Sequence, residues 1–145
     1  MREVNAEGLE LIKSFESFRS RPYNDGYGYM TVGWGHRIQL GDHFTYPLSS
    51  TDADVILNHD LDVSKYFISK YITSALNDNQ YAALVSLVFN CGYTPLRLEL
   101  GQLVNSGHYS DAAEHFLRYN LVDGVLSVGL TKRREAERQL FLRTI

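Results

Sequence analysis

The amino-acid sequence predicts an α+β fold, with a small β-hairpin lobe near the N-terminus and a larger helical lobe. Apolar residues recur at helical spacing before Glu16, an Asp-Gly pair at Asp25 lies between aromatic and β-branched residues, and residues 81–89 are nearly all apolar. These patterns are typical of an amphipathic helix, a β-hairpin and a buried helix, in that order. The sequence therefore combines local β structure with a mainly helical body.

The first predicted helix ends at Glu16. Asn5 is a suitable N-cap, because its side chain can accept a hydrogen bond from the first turn. The apolar face of this helix consists of Leu9, Leu11, Ile12 and Phe15. Since the helix leads directly into the predicted hairpin at residues 21–34, both elements can face one cleft. Residues 35–42 have room for one more short strand.

A long helix that joins the two lobes is predicted, with Ser50 or Thr51 as its N-cap. Its apolar positions are spread widely around the helix: Val55, Ile56, Leu61, Val63, Phe67 and Ile68. The polar turn at residues 77–79 then precedes the core helix at residues 81–89. Shorter helices are predicted at residues 95–106, 110–119 and 131–142.

The length of 145 residues suits one domain with two lobes. We expect residues 15–58 to form the hairpin lobe, and residues 1–14 with 59–145 to form the helical lobe. No basic stretch followed by an apolar run opens the sequence, so neither a signal peptide nor stable membrane insertion is predicted.

The net charge of −3 argues against a nucleic-acid partner, because such domains carry a basic surface that neutralises phosphates. The segment 132–145 is locally basic, with five basic and two acidic side chains. A solvated helix with opposite charges three or four positions apart explains this pattern, and attraction to an anionic surface is the alternative.

Metal and thiol chemistry are not predicted. The five histidines form no HExxH pattern, and Cys91 is the single cysteine, so no metal or other cofactor is expected. Cys91 ends an apolar run, which favours a small buried side chain. From its position, His36 is hypothesised to pair with Asp60, and hydrogen bonds only to backbone or water are the alternative.

Glu16, Asp25 and Thr31 are the candidate catalytic residues. Glycoside hydrolysis needs one carboxylic acid that protonates the leaving oxygen and a second carboxylate that attacks or activates water. Glu16 lies at a predicted helix C-terminus, which favours its protonated form, whereas Asp25 lies in a polar turn, where we expect it to be solvated and ionised. Thr31 lies across the hairpin, where its hydroxyl can help to hold a water beside Asp25, and this favours an inverting reaction.

Each of these three residues is common in a structural role. Glu16 can be a surface residue after a helix, Asp25 a turn former and Thr31 a strand residue. Their joint spacing, with eight residues between the first two and five between the last two, supports the catalytic interpretation.

This spacing resembles that of the phage lysozymes of glycoside hydrolase family 24, a group of endolysins that includes the T-even phage lysozyme. Residues 31–36, Thr-Val-Gly-Trp-Gly-His, are similar to the family's Thr-Ile-Gly-Tyr-Gly-His. Residues 89–92 resemble its Phe-Asn-x-Gly, and residues 129–137 resemble its Gly-Leu-x-x-Arg-Arg-x-x-Glu. The resemblance spans nearly the whole chain. Tyr119 departs from it, since many members have Trp there.

The resemblance implies a lysozyme-like fold and a muramidase that hydrolyses the β-1,4 bond between N-acetylmuramic acid and N-acetylglucosamine in peptidoglycan. Glu16 is then the general acid, and Asp25 with Thr31 orients the water. Four residues are expected to contact substrate or line the cleft: Trp34, Phe89, Asn90 and Arg133. Arg133 is also expected to pair with Glu16.

The alternatives are a lytic transglycosylase, which forms an anhydro sugar, and a catalytically silent wall-binding protein. For the muramidase, the family implies a monomer that accumulates in the host cytoplasm and depends on a separate holin-type protein to reach the periplasm.

Overall fold

The computed structural model describes residues 2–144, which divide into two compact units. Lys13–Asp62 form the hairpin unit. The residues up to Ile12 and from Val63 onwards form the helical unit. The sequence predicted similar ranges as lobes of one domain, and that single-domain assignment stays a prediction.

The first helix, α1, spans Ala6–Glu16 and ends at the predicted acid. Oδ1 of Asn5 accepts a 2.9 Å hydrogen bond from the backbone N–H of Gly8, which confirms the predicted N-cap. At the other end Ser17 has a φ of 61°, and its N–H donates to the carbonyl of Lys13 at 3.1 Å. The chain therefore leaves the helix abruptly, directly after Glu16.

The hairpin unit contains a three-stranded antiparallel sheet in the order β1–β2–β3. Its strands are β1 (Arg19–Asn24), β2 (Met30–Gly33) and β3 (His36–Arg37). Tyr23 pairs with Thr31, and Thr31 pairs in turn with Arg37. One core cluster of this unit is Val32, Leu48 and Ala53, against which five partly buried residues pack: Trp34, Ile38, Phe44, Tyr46 and Ile56.

The predicted long helix is α2, Ser50–Tyr71. Its residues up to Asp62 belong to the hairpin unit, and those from Val63 onwards belong to the helical unit. The side-chain Oγ of Ser49 accepts a 3.0 Å hydrogen bond from the backbone N–H of Asp52. The N-cap therefore lies one residue before Ser50, the first of the two predicted positions.

In the helical unit, α3 (Asp78–Cys91) is the core helix that the apolar run predicted. Every residue from Tyr81 to Val88 is buried. The helix begins with a capping box, in which Asn77 accepts from the N–H of Gln80 while the Gln80 side chain accepts from the N–H of Asn77. It packs against α7, Val128–Leu142.

The short helices differ from the predicted ones. The range 95–106 contains α4 (Thr94–Arg97) and α5 (Glu99–Asn105) instead of one helix, because Leu98 adopts a non-helical conformation with φ −107° and ψ −141°. The range 110–119 becomes α6 (Tyr109–His115) followed by a 3₁₀ turn at Phe116–Arg118.

A second hairpin, β4 (Leu121–Val122) and β5 (Val125–Leu126), was not predicted. Its tight turn is Asp123-Gly124, with φ values of 49° and 78°. Helix α7 starts three residues earlier than expected, because the Ser127 side chain caps it by accepting from the N–H of Leu130.

The interpretation of the C-terminal segment as a fully solvated helix is wrong for two of its arginines. Arg133 is 3% exposed and Arg134 is fully buried. Across residues 2–144, none of the helices has the combination of length and apolar character that crossing a membrane requires.

Candidate active site

Glu16 is half-buried at the end of α1, and its carboxyl group lies against the backbone of Gly35. A Cβ atom added to Gly35 would collide with Oε2 of Glu16 and lie 3.2 Å from its Cδ. The tight turn between β2 and β3 therefore forms one wall of the space that holds this carboxyl group.

Asp25 lies in the loop that joins β1 to β2, where the backbone grips its side chain. Oδ1 accepts hydrogen bonds from the N–H groups of Tyr27 at 2.7 Å and Tyr29 at 3.2 Å. Oδ2 lies 3.9 Å from Nε of Arg37. The side chain is only 17% exposed, so these N–H groups, more than the bulk water that we expected, stabilise the carboxylate.

Thr31 is 3% exposed and lies on β2 opposite Tyr23. Its hydroxyl is directed at the carbonyl oxygen of Tyr29, with a long donor–acceptor distance of 3.4 Å. The N–H of Asp25 donates to the same carbonyl oxygen at 3.0 Å, which continues the pairing of the two strands. Residues opposite each other on paired strands, and those two positions along, share one face, so Asp25 and Thr31 lie on the same side of this hairpin.

Trp34, which was predicted to contact substrate, makes several contacts within its own unit. Its indole N–H donates to Oδ1 of Asp54 at 2.9 Å, and its ring packs against Phe18 with centroids 5.2 Å apart. Nζ of Lys13 lies 5.4 Å from the Trp34 ring centroid and 2.9 Å from Oδ1 of Asp54. The hydrogen bond from Lys13, supported by that from Trp34, lowers the pKa of Asp54. A substrate contact by Trp34 stays a prediction, and it would use the ring, because the N–H is already bonded.

The hypothesised pair of His36 with Asp60 is present: Nδ1 lies 2.8 Å from Oδ2 of Asp60. A second carboxylate was not expected, for Nε2 lies 2.9 Å from Oδ2 of Asp42. Burial alone favours the neutral ring, but the hydrogen bonds with Asp42 and Asp60 outweigh it and raise the pKa of His36. The same contact with His36 lowers the pKa of Asp42. Burial raises the pKa of Asp60 and opposes the effect of the imidazolium there.

Comparison with known proteins is consistent with this geometry. The sequence model of the family described as phage lysozyme matches residues 13–137. That range contains the three candidate catalytic residues together with Gly35 and His36. The chain belongs to the phage lysozyme family.

It is therefore related to glycoside hydrolases of the lysozyme type. Individual relatives are endolysins of phages. The chain is 34% identical over 142 residues to the endolysin of Bacillus phage B103, and the match covers 96% of this chain and 54% of that protein. It is 34% identical over 145 residues to the endolysin of Acyrthosiphon pisum secondary endosymbiont phage 1, covering 95% of this chain and 97% of the relative. The chain thus spans about half of the first relative and nearly all of the second.

The fold agrees with that of solved phage lysozymes. The endolysin from Escherichia coli O157:H7 phage FAHEc1 superposes with a TM-score of 0.88 at 27% identity, covering 99% of this chain and 96% of that one. The predicted lysozyme-like α+β fold is thereby confirmed.

The other residues that the phage lysozyme resemblance singled out lie in the helical unit. Phe89 is half-buried, and Oδ1 of the exposed Asn90 accepts a 2.7 Å hydrogen bond from Nη2 of Arg134. Nε of Arg133 lies 3.3 Å from Oε2 of Glu137. Their contacts with substrate, and the pairing of Arg133 with Glu16, stay predictions.

Cys91, at the end of α3, is exposed, so the expectation of a buried cysteine is wrong. Its sulfur nevertheless contacts Nη1 of Arg134. Although the residue as a whole is exposed, the protein atoms around its sulfur partly desolvate the thiolate, and this raises the pKa of Cys91. Within the part of the chain that the structure describes, no group of three or more His, Cys, Asp or Glu side chains could hold a metal ion.

Arg37 contacts the candidate site and was not singled out from the sequence. Its guanidinium lies 4.1 Å from the centroid of the Tyr29 ring, as well as near Asp25. The sequence contained one signal for it. Residues 35–42 were expected to form a third strand, and in the structure Arg37 lies in that strand and pairs with Thr31.

Proposed function

We propose that this chain is an endolysin-type muramidase that hydrolyses the β-1,4 bond between N-acetylmuramic acid and N-acetylglucosamine in bacterial peptidoglycan. The observation that carries the proposal is the arrangement of the hairpin unit. Glu16 ends a helix there, Asp25 and Thr31 share one face of a hairpin, and the phage lysozyme family match includes all three. The biological outcome is lysis of the host cell.

In this proposal Glu16 is the general acid that donates a proton to the leaving glycosidic oxygen. The end of α1 fixes its backbone, and Gly35 limits where its carboxyl group can lie. After bond cleavage Glu16 regains a proton from solvent, and Asp25 releases to solvent the proton that it took from the attacking water. Glu16 therefore needs no covalent bond to the sugar.

Asp25 and Thr31 act on the water that attacks the opposite face of the sugar. The Asp25 carboxylate accepts a proton from that water, and the two N–H groups that already bind Oδ1 keep the carboxylate in place. The Thr31 hydroxyl donates towards the Tyr29 carbonyl, so its oxygen lone pairs can accept a hydrogen bond from the same water. This mechanism inverts the anomeric centre and requires carboxyl groups about 6.5–9.5 Å apart.

Digestion of purified peptidoglycan tests the reaction. Mass spectrometry of the fragments identifies each new end, and proton NMR during the first turnovers identifies the anomer. The proposal predicts reducing N-acetylmuramic acid ends that appear first as the α-anomer. Anhydro ends would instead identify a lytic transglycosylase, and a β-anomer would identify a retaining enzyme. Binding to peptidoglycan without new ends would identify a silent wall-binding protein.

We also propose that the protein acts as a monomer, binds glycan strands without nucleic acid or stable membrane insertion, and needs no cofactor. It would remain in the host cytoplasm until a holin-type protein opens the inner membrane, and would then reach the cell wall in the periplasm. Expression in cells with and without such a membrane-permeabilising protein tests this dependence. Lysis that is equally rapid in both strains would contradict it.

A further inference from the structure

We infer that Gly35 is a positioning residue for the proposed general acid, in a role that requires the absence of a side chain. The turn Trp34–Gly35–His36, called the backstop below, would set the position of the Glu16 carboxyl group. This inference rests on the proposed function of Glu16. It adds a residue that acts through Glu16 and that makes no contact of its own with the sugar.

The contact between Gly35 and Glu16 leaves no room for a Cβ atom at position 35 while the Glu16 carboxyl group keeps its position. A Cβ atom there would collide with Oε2 of Glu16, and would lie 3.2 Å from Cδ and 3.8 Å from Cβ. An alanine can therefore fit only if the carboxyl group moves or the turn shifts. Gly35 also has a φ of +78°, a conformation that favours glycine.

The backstop is anchored on both sides of Gly35. On one side the Trp34 indole donates to Asp54 at 2.9 Å, and on the other the His36 ring pairs with Asp60 at 2.8 Å. Asp54 and Asp60 both belong to α2, so one rigid element holds both neighbours of Gly35. His36 is held further by Asp42 at 2.9 Å. The turn therefore has little freedom to retreat from Glu16.

The helix that carries Glu16 is tied to the same anchor. Lys13 lies one turn before Glu16 in α1, and its Nζ is 2.9 Å from the same Asp54 oxygen that accepts from Trp34. One carboxylate thus links the end of α1 to the backstop. Since a misplacement of about 1 Å can lower turnover about 100-fold, this link and the Gly35 contact together matter for a proton donor.

The test compares Gly35→Ala with Gly124→Ala. Gly124 has the same φ of +78° but no heavy atom within 4 Å of an added Cβ, so the two variants share the backbone cost and differ in the collision. We expect Gly35→Ala to lower kcat on peptidoglycan about 100-fold, with KM and the unfolding midpoint close to those of Gly124→Ala. Equal kcat values for the two variants would overturn the inference.

A second pair of variants applies if Gly35→Ala does not fold. Asp54→Ala removes the shared anchor and leaves Gly35 in place, and Asp52→Ala removes an exposed carboxylate from the same helix. We expect Asp54→Ala to lower kcat about tenfold relative to Asp52→Ala, because the acid is misplaced. Any accompanying rise in KM reports the Trp34 ring, which Asp54 also holds. A loss confined to KM, or no loss, would overturn the inference.

These outcomes are separate from a failure of the proposed function. If the wild-type protein does not cleave peptidoglycan, the proposed function fails before any variant is compared. If the wild-type protein and Gly35→Ala cleave it equally fast, only the role of Gly35 fails.

Discussion

His36 and Asp42 form a close pair, with Nε2 of the ring 2.9 Å from Oδ2 of the carboxylate. The other ring nitrogen lies 2.8 Å from Oδ2 of Asp60. The ring can donate a hydrogen bond to both carboxylates only as the doubly protonated imidazolium, because a neutral imidazole has a single N–H group. The loop that contains Asp42 and the helix α2 are thereby joined through one charged side chain. This arrangement makes the stability of the hairpin unit depend on pH.

We predict that Asp42→Asn lowers the free energy of unfolding by about 1 kcal/mol near pH 5. The pKa of His36 is raised from its usual 6.5, so its contribution is full below pH 6.5 and is lost as the pH rises through the higher folded value. The pKa of Asp42 is lowered from its usual 3.8, so its contribution is present above pH 3.8 and is lost as the pH falls through the lower folded value.

Urea unfolding of the wild type and Asp42→Asn across the pH range measures this difference. The exposed Asp52 provides the control variant Asp52→Asn, whose difference from the wild type should change little with pH. A difference for Asp42→Asn that grows as the pH rises above 6.5 would contradict the assignment.

Ser17 is predicted to limit stability where the chain leaves α1. Its φ of 61° is unfavourable for a residue with a Cβ atom and suits glycine at a helix end. Ser17→Gly should therefore raise the free energy of unfolding by about 0.5–1 kcal/mol. Ser14→Gly, in the interior of the same helix, should lower it by a similar amount. Thermal unfolding of both variants measures whether the free energy of unfolding rises or falls. A loss of stability in Ser17→Gly would contradict the prediction that the backbone of Ser17 is strained.

The stability of the protein is predicted to depend strongly on the negative charge of Glu137 in α7. It is fully buried between two guanidiniums, with Oε1 2.7 Å from Nε of Arg134 and Oε2 3.3 Å from Nε of Arg133. The Ser86 hydroxyl donates to Oε2 as well. Glu137→Gln should cost about 3–5 kcal/mol, because it leaves buried guanidiniums without their carboxylate.

Chemical denaturation compares that cost with Glu135→Gln as a control. Glu135 is 42% exposed and pairs with Arg138 at 3.2 Å, so its loss should cost less than about 1 kcal/mol. Equal costs for the two variants would show that the buried cluster contributes no more than a surface ion pair.

The parts of the fold with local sequence signals were predictable. The cap at Asn5, the end of α1 at Glu16 and the Asp-Gly loop at Asp25 each depend on residues close together in the chain. The break at Leu98 has no such signal, since neither Gly nor Pro occupies it. The second hairpin did have one, because Asp123-Gly124 favours the tight turn that the structure contains, but residues 120–130 were assigned no element.

The candidate site divides in the same way. Spacing alone was enough to single out Glu16, Asp25 and Thr31, because the three come from one helix–hairpin segment. The contacts of Gly35, Asp42 and Asp54 could not be inferred, since each joins elements that are separate in the sequence. Gly35 resembles any turn glycine in the sequence, and only the packed structure shows the Glu16 carboxyl group against it.

The most direct measurement of the central claim is the rate at which Glu16→Gln releases reducing ends from purified peptidoglycan. Glu10→Gln is the matched control, since it removes the same charge from an exposed position of the same helix. If Glu16 is the general acid, Glu16→Gln should be slower than the wild type by a factor of about 100 to 10,000, and Glu10→Gln should match the wild type. Release by Glu16→Gln at the wild-type rate would contradict the account.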